Sequence, residues 1–516
     1  MQLLKDINYK KVITSRIVVT VIMILLELVL VLGVFVRAIR YSQLIMGAFY
    51  LLGFLYVIYL VSKDENASYR IGWLIIILTL PPLGTFLYML WGDKKPSRKL
   101  RTRLEHSYKE FDSYLTGNED IYRSLEKENP RAAATAKYIK KTSRYPLHQS
   151  THVTYYPLGE SMFEAMLEEM RKAKRFIFLE FFIVEEGEMW GRMLEVLLEK
   201  AKQGVEVRML YDDMGSVALL PFDYAKKLEA MDPHIKCVPF NPVVPFLAMV
   251  MNNRDHRKIL VVDGQIGFTG GMNLADEYIN VRKKFGHWKD SGVKLVGEGV
   301  WNLTAMFMEM WNACSEAKVI PENHMPEGTK ELESNQGFVL PYGDDPLDDE
   351  NVGEDTYIEI INQAKDYIYI ITPYLILDDE MKRALTMAAK RGVDVRIVTP
   401  GIPDKKIVFR LTRANYLPLL KSSVKIYEYT PGFVHAKSFV SDDDVGVVGT
   451  INLDYRSLYL HFECGVWMYK VPALVDLKKD TLETIEKSHR VYEEDVHTKG
   501  IGRLFDGLLR VMAPLF

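Results

Sequence analysis

The sequence is poor in cysteine and nearly balanced in charge. Its three cysteines, Cys237, Cys314 and Cys464, lie far apart, so they provide neither a disulfide framework nor a cysteine-rich zinc site. Lysine and arginine total 65 against 68 aspartates and glutamates, which gives a formal net charge of −3. This balance argues against a protein that binds nucleic acid through bulk positive charge.

Apolar residues make up 48% of the chain, but they are concentrated in three runs near the N-terminus. The runs are 17–36, whose one charged residue is Glu27, and 44–61 and 71–91, which contain no charge. A membrane-spanning helix needs about 20 apolar residues. Three such runs before any polar domain predict transmembrane helices in an N-terminal membrane region, assigned to residues 1–110.

Basic residues on both sides of the apolar runs constrain the topology. The third run is followed by a basic cluster of Lys94, Lys95, Arg98, Lys99, Arg101 and Arg103, and basic residues also precede the first run. Both groups favour the cytoplasmic side, and three full spans cannot place both there. Either the N-terminus lies outside, or one segment, most readily the third with its Pro81-Pro82, forms a hairpin or lies shallow. We predict a multi-pass protein of the cell membrane with cytoplasmic catalytic domains.

From about Tyr145 onward, short β-rich runs alternate with helical stretches, a pattern typical of α/β domains. The pattern occurs twice, because Gly204-Val-Glu-Val-Arg matches Gly392-Val-Asp-Val-Arg position for position. We therefore predict an α/β fold with two similar domains, 145–314 and 336–516, that form a pseudo-twofold pair.

Each repeat contains the pattern His-x-Lys-x4-Asp, and an asparagine follows each histidine after seventeen residues. The members are His256, Lys258, Asp263 and Asn273, within 251–278, and His435, Lys437, Asp442 and Asn452, within 430–457. Two matches at equivalent places in a chain with 11 histidines are not expected by chance.

The residue types in this pattern favour phosphodiester chemistry. On a strand, a histidine and a lysine two residues apart point to the same face, where they form a site for an anion. Two copies brought together would supply charge stabilisation, a nucleophile and a proton donor for phosphodiester exchange. We expect no metal, because the lysine repels a cation and no cluster of acidic ligands accompanies the motif.

The doubled motif resembles that of the phospholipase D superfamily, and its combination with N-terminal membrane segments is similar to bacterial cardiolipin synthases. The resemblance extends to the apolar region, from Arg70-Ile-Gly-Trp73 to Trp91-Gly92, and to Asn452-Leu-Asp-Tyr-Arg-Ser457 and His461-Phe-Glu463. Members usually have two membrane segments, which match 44–61 and 71–91. The run 17–36 is therefore an addition to the family pattern.

The resemblance implies transfer of a phosphatidyl group from one phosphatidylglycerol to another, giving cardiolipin and glycerol without a cofactor. It implies that His256 is the nucleophile that forms a phosphatidyl-histidine, and that His435 is the general acid and base. The groups expected to hold the phosphate oxygens are Lys258, Lys437, Asn273 and Asn452.

The resemblance also implies a carboxylate that orients each imidazole. We predict Asp290 for the first repeat and Glu463 for the second. Asp263 and Asp442 complete the catalytic motif, but we expect them to brace the turn after the strand rather than to contact the substrate.

The motif leaves the acceptor open, because phospholipase D with water, or phosphatidyl transfer to serine or ethanolamine, would use the same residues. A nuclease is disfavoured by the apolar segments and the net charge of −3. A catalytically inactive membrane scaffold is disfavoured because both motifs are intact. The expected partners are phosphatidylglycerol and cardiolipin in the membrane, with no nucleic acid, and the oligomeric state stays open.

Overall fold

The computed structural model describes residues 43–63, 66–92, 95–242, 252–326, 337–348, 350–496, 500–511 and 513, with isolated positions between 22 and 37. The apolar run 17–36 therefore lies largely outside the described residues. The other two runs form three helices, which are α1 (Gln43–Ser62), α2 (Ala67–Thr79) and α3 (Pro81–Trp91).

Within the described residues, α1 is the one helix that is long and apolar enough to cross a bilayer. The predicted third span, 71–91, is instead broken at Leu80, because Pro81 and Pro82 open a new helix. At 13 and 11 residues, α2 and α3 are each too short to span. The sequence alternative in which the third run is a hairpin describes this region better than three full spans.

The helices α2 and α3 lie side by side. The rings of Trp73 and Tyr88 are 5.2 Å apart, and Gly84 faces the backbone of Ile76 and Ile77. The hairpin also packs on α1, where Leu60, Ile77 and Tyr88 form a buried cluster.

Three further helices connect this apolar region to the repeats. They are α4 (Arg98–Phe111), α5 (Glu119–Glu128) and α6 (Pro130–Ser143). Although α4 falls within the predicted membrane region 1–110, Leu104 and Phe111 are buried in the core that the repeats share. This helix is therefore part of the globular body.

The first repeat is a seven-stranded sheet with the order β1-β8-β6-β5-β2-β3-β4. Its strands are β1 (Thr151–Tyr156), β2 (Phe176–Phe181), β3 (Glu206–Asp212), β4 (Ile235–Phe240), β5 (Ile259–Val262), β6 (Ile266–Gly270) and β8 (Gly292–Gly297), with the short β7 (His287–Lys289) outside the sheet. Its helices are α7 (Gly159–Arg171), α8 (Glu188–Lys202), α9 (Asp213–Ser216), α10 (Tyr224–Glu229) and α11 (Val300–Cys314).

The second repeat has an eight-stranded sheet with the order β9-β16-β15-β14-β10-β11-β12-β17. Its strands are β9 (Phe338–Asp344), β10 (Tyr367–Ile371), β11 (Asp394–Pro400), β12 (Lys425–Tyr429), β14 (Ser438–Ser441), β15 (Val445–Gly449), β16 (Glu463–Tyr469) and β17 (Ser488–Val491), with the short β13 (Gly432–Val434) outside the sheet. Its helices are α12 (Val352–Gln363), α13 (Asp379–Lys390), α14 (Lys406–Ala414), α15 (Tyr416–Leu420), α16 (Tyr455–Tyr459), α17 (Ala473–Glu486) and α18 (Ile501–Val511).

Apart from the added edge strand β17, the two sheets have the same strand order and the same directions at equivalent positions. This is the internal repeat that the two Gly-Val-x-Val-Arg segments predict. Inner strands such as β5 are buried on both faces, so they read as continuous apolar runs. Residues of both sheets, including Phe178, Val261, Tyr369 and Val466, share one buried core with α11.

The start of α2 is fixed to the second repeat. The side-chain amide of Asn66 donates to Asp378 and to the hydroxyl of Tyr459, each at 2.8 Å. The hydroxyl of Tyr455 donates to Ser68 Oγ, also at 2.8 Å. The apolar hairpin therefore contacts α16, a helix that also contributes to the site described next.

Candidate active site

Two short backbone pairings bring the histidine motifs of the repeats together. The strand β13 pairs with β7 in parallel, with Val434 opposite Lys289, so that His435 and Asp290 follow side by side. In the same way Asp255 bridges Phe462, so that His256 and Glu463 follow side by side. Each histidine thus lies at a junction between the repeats.

At these junctions each histidine pairs with the carboxylate of the other repeat. Nδ1 of His256 donates to Glu463 at 2.8 Å, and Nδ1 of His435 donates to Asp290 at 2.7 Å. Both predicted carboxylates are present, but their assignment was wrong. We expected Asp290 beside the first-repeat histidine and Glu463 beside the second-repeat histidine, whereas each carboxylate orients the imidazole of the other repeat.

The motif lysines are buried next to their histidines. Lys258 donates to the carbonyl oxygen of His256, and Lys437 donates to that of His435. Burial lowers the pKa of Lys258 to about 8 and that of Lys437 to about 7. The ammonium groups are therefore held in a place that disfavours their charge unless an anion is bound.

Burial also sets the protonation of the histidines. Burial, followed by the charge of Lys437, lowers the pKa of His435 to about 4. Burial lowers the pKa of His256 well below its usual range, and the charges of Lys258, Lys437 and His435 lower it further. The protonation states of the two histidines and the two lysines are thus coupled, and an anion bound among them favours their charged forms.

The two carboxylates differ in their environment. Burial raises the pKa of Glu463 to about 7, although the hydroxyls of Thr450 and Ser457 donate to it. Burial would also raise the pKa of Asp290, but the contact with His435 and the charge of Lys437 hold it below its usual range. Asp290 therefore ionises at a lower pH than Glu463 does.

The motif aspartates lie away from the histidines. Asp263 accepts from the backbone N–H groups of Lys174, Arg175 and Phe176, and Asp442 accepts from those of Lys365, Asp366 and Tyr367. Since β5 and β14 separate each aspartate from its histidine, these carboxylates fix the start of a neighbouring strand. Both belong to the predicted catalytic motif, and a bracing role without substrate contact stays a prediction for them.

The two asparagines differ from each other. Asn273 is held by the protein, because its Oδ1 accepts from Ile183 N–H at 3.0 Å and its Nδ2 donates to Tyr278 at 2.7 Å. Oδ1 of Asn452 is buried and has no hydrogen-bond partner among the described residues. A phosphate-binding role for either asparagine stays a prediction.

Aromatic side chains surround the imidazoles, and no local sequence pattern predicts this arrangement. Tyr278, Trp288 and Phe433 lie 5.4 to 5.9 Å from the ring of His435. Phe182 lies 4.9 Å from the ring of His256. These rings desolvate the site, which explains the lowered pKa values and limits the access of water.

A third histidine, His461, lies 5.6 Å from His256 between ring centroids. Within the described part of the chain, His256, His461 and Glu463 form a group whose ligand atoms lie within 4.8 Å of one another, a spacing that suits a metal ion. However, both oxygens of Glu463 already accept hydrogen bonds, and the buried Lys258 opposes a cation there.

Comparisons with known proteins agree with this geometry. Residues 166–286 and 357–485 each match a family model described as the cardiolipin synthase, phospholipase D-like domain. Residues 48–92 match a model described as the phospholipase D-nuclease N-terminal region. Together the matches span more than half of the chain. The chain belongs to the phospholipase D-like family of cardiolipin synthase domains.

Relatives cover nearly the whole chain. An uncharacterized protein of Streptococcus mutans is 46% identical over 89% of this chain and 99% of its own length. A cardiolipin synthase of Geobacillus is 31% identical over 89% of this chain and 91% of its own length. A solved structure, phosphatidylserine synthase of Haemophilus influenzae, matches 70% of this chain and 94% of its own with a TM-score of 0.55 and 13% identity, which shows a shared fold.

Proposed function

We propose that this member of the phospholipase D-like family is a cardiolipin synthase. It transfers the phosphatidyl group of one phosphatidylglycerol to the terminal hydroxyl of a second, with release of glycerol. The observation that carries the proposal is the pair of buried histidines, each with a lysine and a carboxylate, at the junction of two repeats. The named cardiolipin synthases among the relatives support the choice of lipid.

The hydrogen bonds to the carboxylates define which nitrogens can react. Because Nδ1 of each histidine donates to a carboxylate, Nε2 is the nitrogen that faces the substrate. In the first step Nε2 of His256 attacks the phosphorus of phosphatidylglycerol. The bond from phosphorus to the head-group oxygen breaks, and His435 gives that oxygen a proton, so glycerol leaves.

In the second step the terminal hydroxyl of another phosphatidylglycerol gives its proton to His435 and attacks the phosphorus. The phosphorus–nitrogen bond breaks, His256 is released, and the product is cardiolipin. The exchange of one phosphodiester for another is balanced without a nucleotide or a metal. Lys258 and Lys437 stabilise the charge on the phosphoryl oxygens in both steps.

The difference between the two carboxylates supports this division of roles. A general acid needs a partner that stabilises the imidazolium, and the ionised Asp290 suits His435. A nucleophile must be neutral, and Glu463, with its raised pKa of about 7, favours the charged form of His256 less strongly. In addition, an anionic phosphodiester raises the pKa of His435 when it binds, which restores the proton that the first step requires.

We further propose that α2 and α3 enter the membrane from the cytoplasmic side and return to it. The start of α2 contacts the second repeat through Asn66, and α4, shortly after α3, packs into the shared core. With α1 as one full span and the run 17–36 as the further span that its composition predicts, a re-entrant hairpin places both groups of basic residues in the cytoplasm. The family and its membrane relatives support membrane association, and this topology is the finer proposal.

The topology is tested by single cysteines at Ser62 and Ser97 in a Cys314→Ser background. We expect a membrane-impermeant maleimide to label both from the cytoplasmic side, because the hairpin begins and ends there. Labelling of the two positions from opposite sides would show that this segment crosses the membrane once and does not form a hairpin.

The proposed activity is tested by incubating the purified full-length protein with phosphatidylglycerol vesicles and analysing the lipids. Cardiolipin and free glycerol in equal amounts are the expected products. Phosphatidic acid alone would identify a hydrolase instead. His256→Ala and His435→Ala should each abolish turnover, and a lipid adduct on the protein should accumulate only in His435→Ala.

A further inference from the structure

His461 is a half-buried histidine beside His256, and the reaction described above assigns it no role. Its side chain is 11% exposed, against 9% for His256 and 8% for His435, so the three imidazoles are accessible to a similar extent. One nitrogen of its ring lies within 4.8 Å of a nitrogen of His256.

Both ring nitrogens of His461 are buried and lack a hydrogen-bond partner among the described residues. The nearest carboxylate oxygen, Oε1 of Glu463, is 3.9 Å from Nδ1, which is too long for a hydrogen bond. A buried polar group without a partner is destabilising, so an unpartnered ring beside the nucleophile calls for an explanation. By contrast, His324, whose side chain is 8% exposed, has partners for both ring nitrogens.

The spacing of the two rings fits one oxygen atom between them. The ring centroids of His256 and His461 lie 5.6 Å apart, so an oxygen of a phosphoryl group bonded to His256 comes within hydrogen-bond reach of the His461 ring. A non-bridging oxygen of a phosphoryl group attached to His256 would occupy this place. A rotation of the His461 ring by 180° about its Cβ–Cγ bond exchanges nitrogens and carbons, so either edge can face the cleft.

The protonation of His461 suits a donor without charge. Burial, followed by the charge of His256, lowers its pKa well below the usual range. A neutral imidazole carries one N–H donor, and it adds no further positive charge beside Lys258.

We propose that His461 is a further catalytic residue, which donates a hydrogen bond to a non-bridging oxygen of the phosphoryl group while that group is attached to His256. The inference rests on the proposed phosphatidyl-histidine chemistry. His461 adds an uncharged hydrogen-bond donor next to the nucleophile His256, whereas the lysines provide positive charge. Its contribution grows as negative charge develops on the phosphoryl oxygens.

The test compares His461→Leu, which keeps apolar volume but has no donor, with His461→Asn, whose amide places an N–H near the position of the ring nitrogen. The readout is glycerol released from phosphatidylglycerol vesicles, since this measures cleavage whichever acceptor follows. We expect kcat to fall about 100-fold in His461→Leu and to stay within about tenfold of the parent protein in His461→Asn. The matched control is His324→Asn, outside the site, with unchanged glycerol release per folded protein.

A second measurement separates a contact with phosphate from a structural role. Binding of inorganic phosphate, followed by calorimetry at constant pH, should weaken about tenfold in His461→Leu and recover in His461→Asn. The inference is overturned if His461→Leu releases glycerol as fast as the parent protein, or if phosphate binds equally in all three. Failure of the proposed function looks different, because the parent protein would then form no cardiolipin, whereas the effect of His461→Leu on phosphate binding would persist.

Discussion

Asp290 of the first repeat accepts a hydrogen bond of 2.7 Å from Nδ1 of His435 in the second repeat. The reciprocal bond joins His256 to Glu463 at 2.8 Å. Each histidine therefore needs a carboxylate from the other repeat, and the active site is formed at the junction of the repeats rather than within one domain.

The exchanged carboxylates lead to a prediction about the leaving group. Asp290→Asn should impair protonation by His435, whereas Glu463→Gln should impair attack by His256, each with a loss of about 100-fold or more on phosphatidylglycerol. A phosphatidyl ester of p-nitrophenol needs no proton when its leaving group departs. Asp290→Asn should therefore regain most of its rate of nitrophenol release, and Glu463→Gln should not. The opposite pattern of rescue would reverse the roles of the two histidines.

The motif aspartates should affect stability more than chemistry. In Asp263→Asn and Asp442→Asn the loss of a charged acceptor for three backbone N–H groups should lower the free energy of unfolding by about 2 kcal/mol. Asparagine tolerates the positive φ of 54° and 51° at these positions, so the backbone conformation is retained. Thermal unfolding and the glycerol-release rate per folded molecule measure the two effects. A normal melting temperature with a 100-fold slower rate would instead place these carboxylates in the chemistry.

Anion binding should depend on pH through the buried lysines. In the free protein Lys437, with a pKa of about 7, and Lys258, with a pKa of about 8, lose their protons as the pH rises. A bound anion favours the ammonium forms, so binding takes up protons and weakens as the pH rises from about 6.5 to 8.5. Inhibition of glycerol release by glycerophosphoglycerol, whose own charge is constant in this range, measures the effect.

Lys437→Arg provides the control for this pH dependence, because a guanidinium stays charged throughout the range. The part of the step near pH 7 that Lys437 contributes should then disappear, while Glu463 still titrates near pH 7 and the step near pH 8 remains. An inhibition constant that does not change with pH in the parent protein would contradict the lowered pKa values.

The apolar hairpin should be sensitive to the size of one residue. A Cβ atom at Gly84 would lie 2.5 Å from the carbonyl oxygen of Ile76 and 2.7 Å from Cα of Ile77. Gly84→Ala should therefore push α2 and α3 apart and lower the melting temperature in detergent by several degrees. In Gly47→Ala the new methyl group meets no atom within 4 Å, so its melting temperature should not fall. Equal melting temperatures of the two variants would argue against the close helix contact.

The sequence predicted the two repeats, the histidine and lysine pairs and the family, because these depend on short patterns that occur twice. The family is confirmed by the matches at 166–286 and 357–485. The partners of the histidines could not be assigned in the same way. Asp290 meets His435 only because two three-residue strands from different repeats pair, and such short strands have no distinct pattern.

The third apolar run shows a similar limit. Composition makes 71–91 long enough to span, and Pro81-Pro82 leave a hairpin as the alternative. The packing of Trp73 on Tyr88 and of Gly84 on Ile76 decides for the hairpin. His461 was visible in the sequence, but its importance follows from burial and from the lack of partners, which local sequence does not encode.

The parallel pairing of β13 with β7 has a consequence for the origin of the chain. A protein with a single copy of this α/β unit would expose the edge of that strand and carry a histidine without its carboxylate. In two identical copies related by a twofold axis, each copy would cover the exposed strand edge of the other and supply the carboxylate for its histidine. The exchanged pairs are thus the arrangement that duplication and fusion of a symmetric dimer would leave behind. In such an ancestor, catalysis would have begun with self-association.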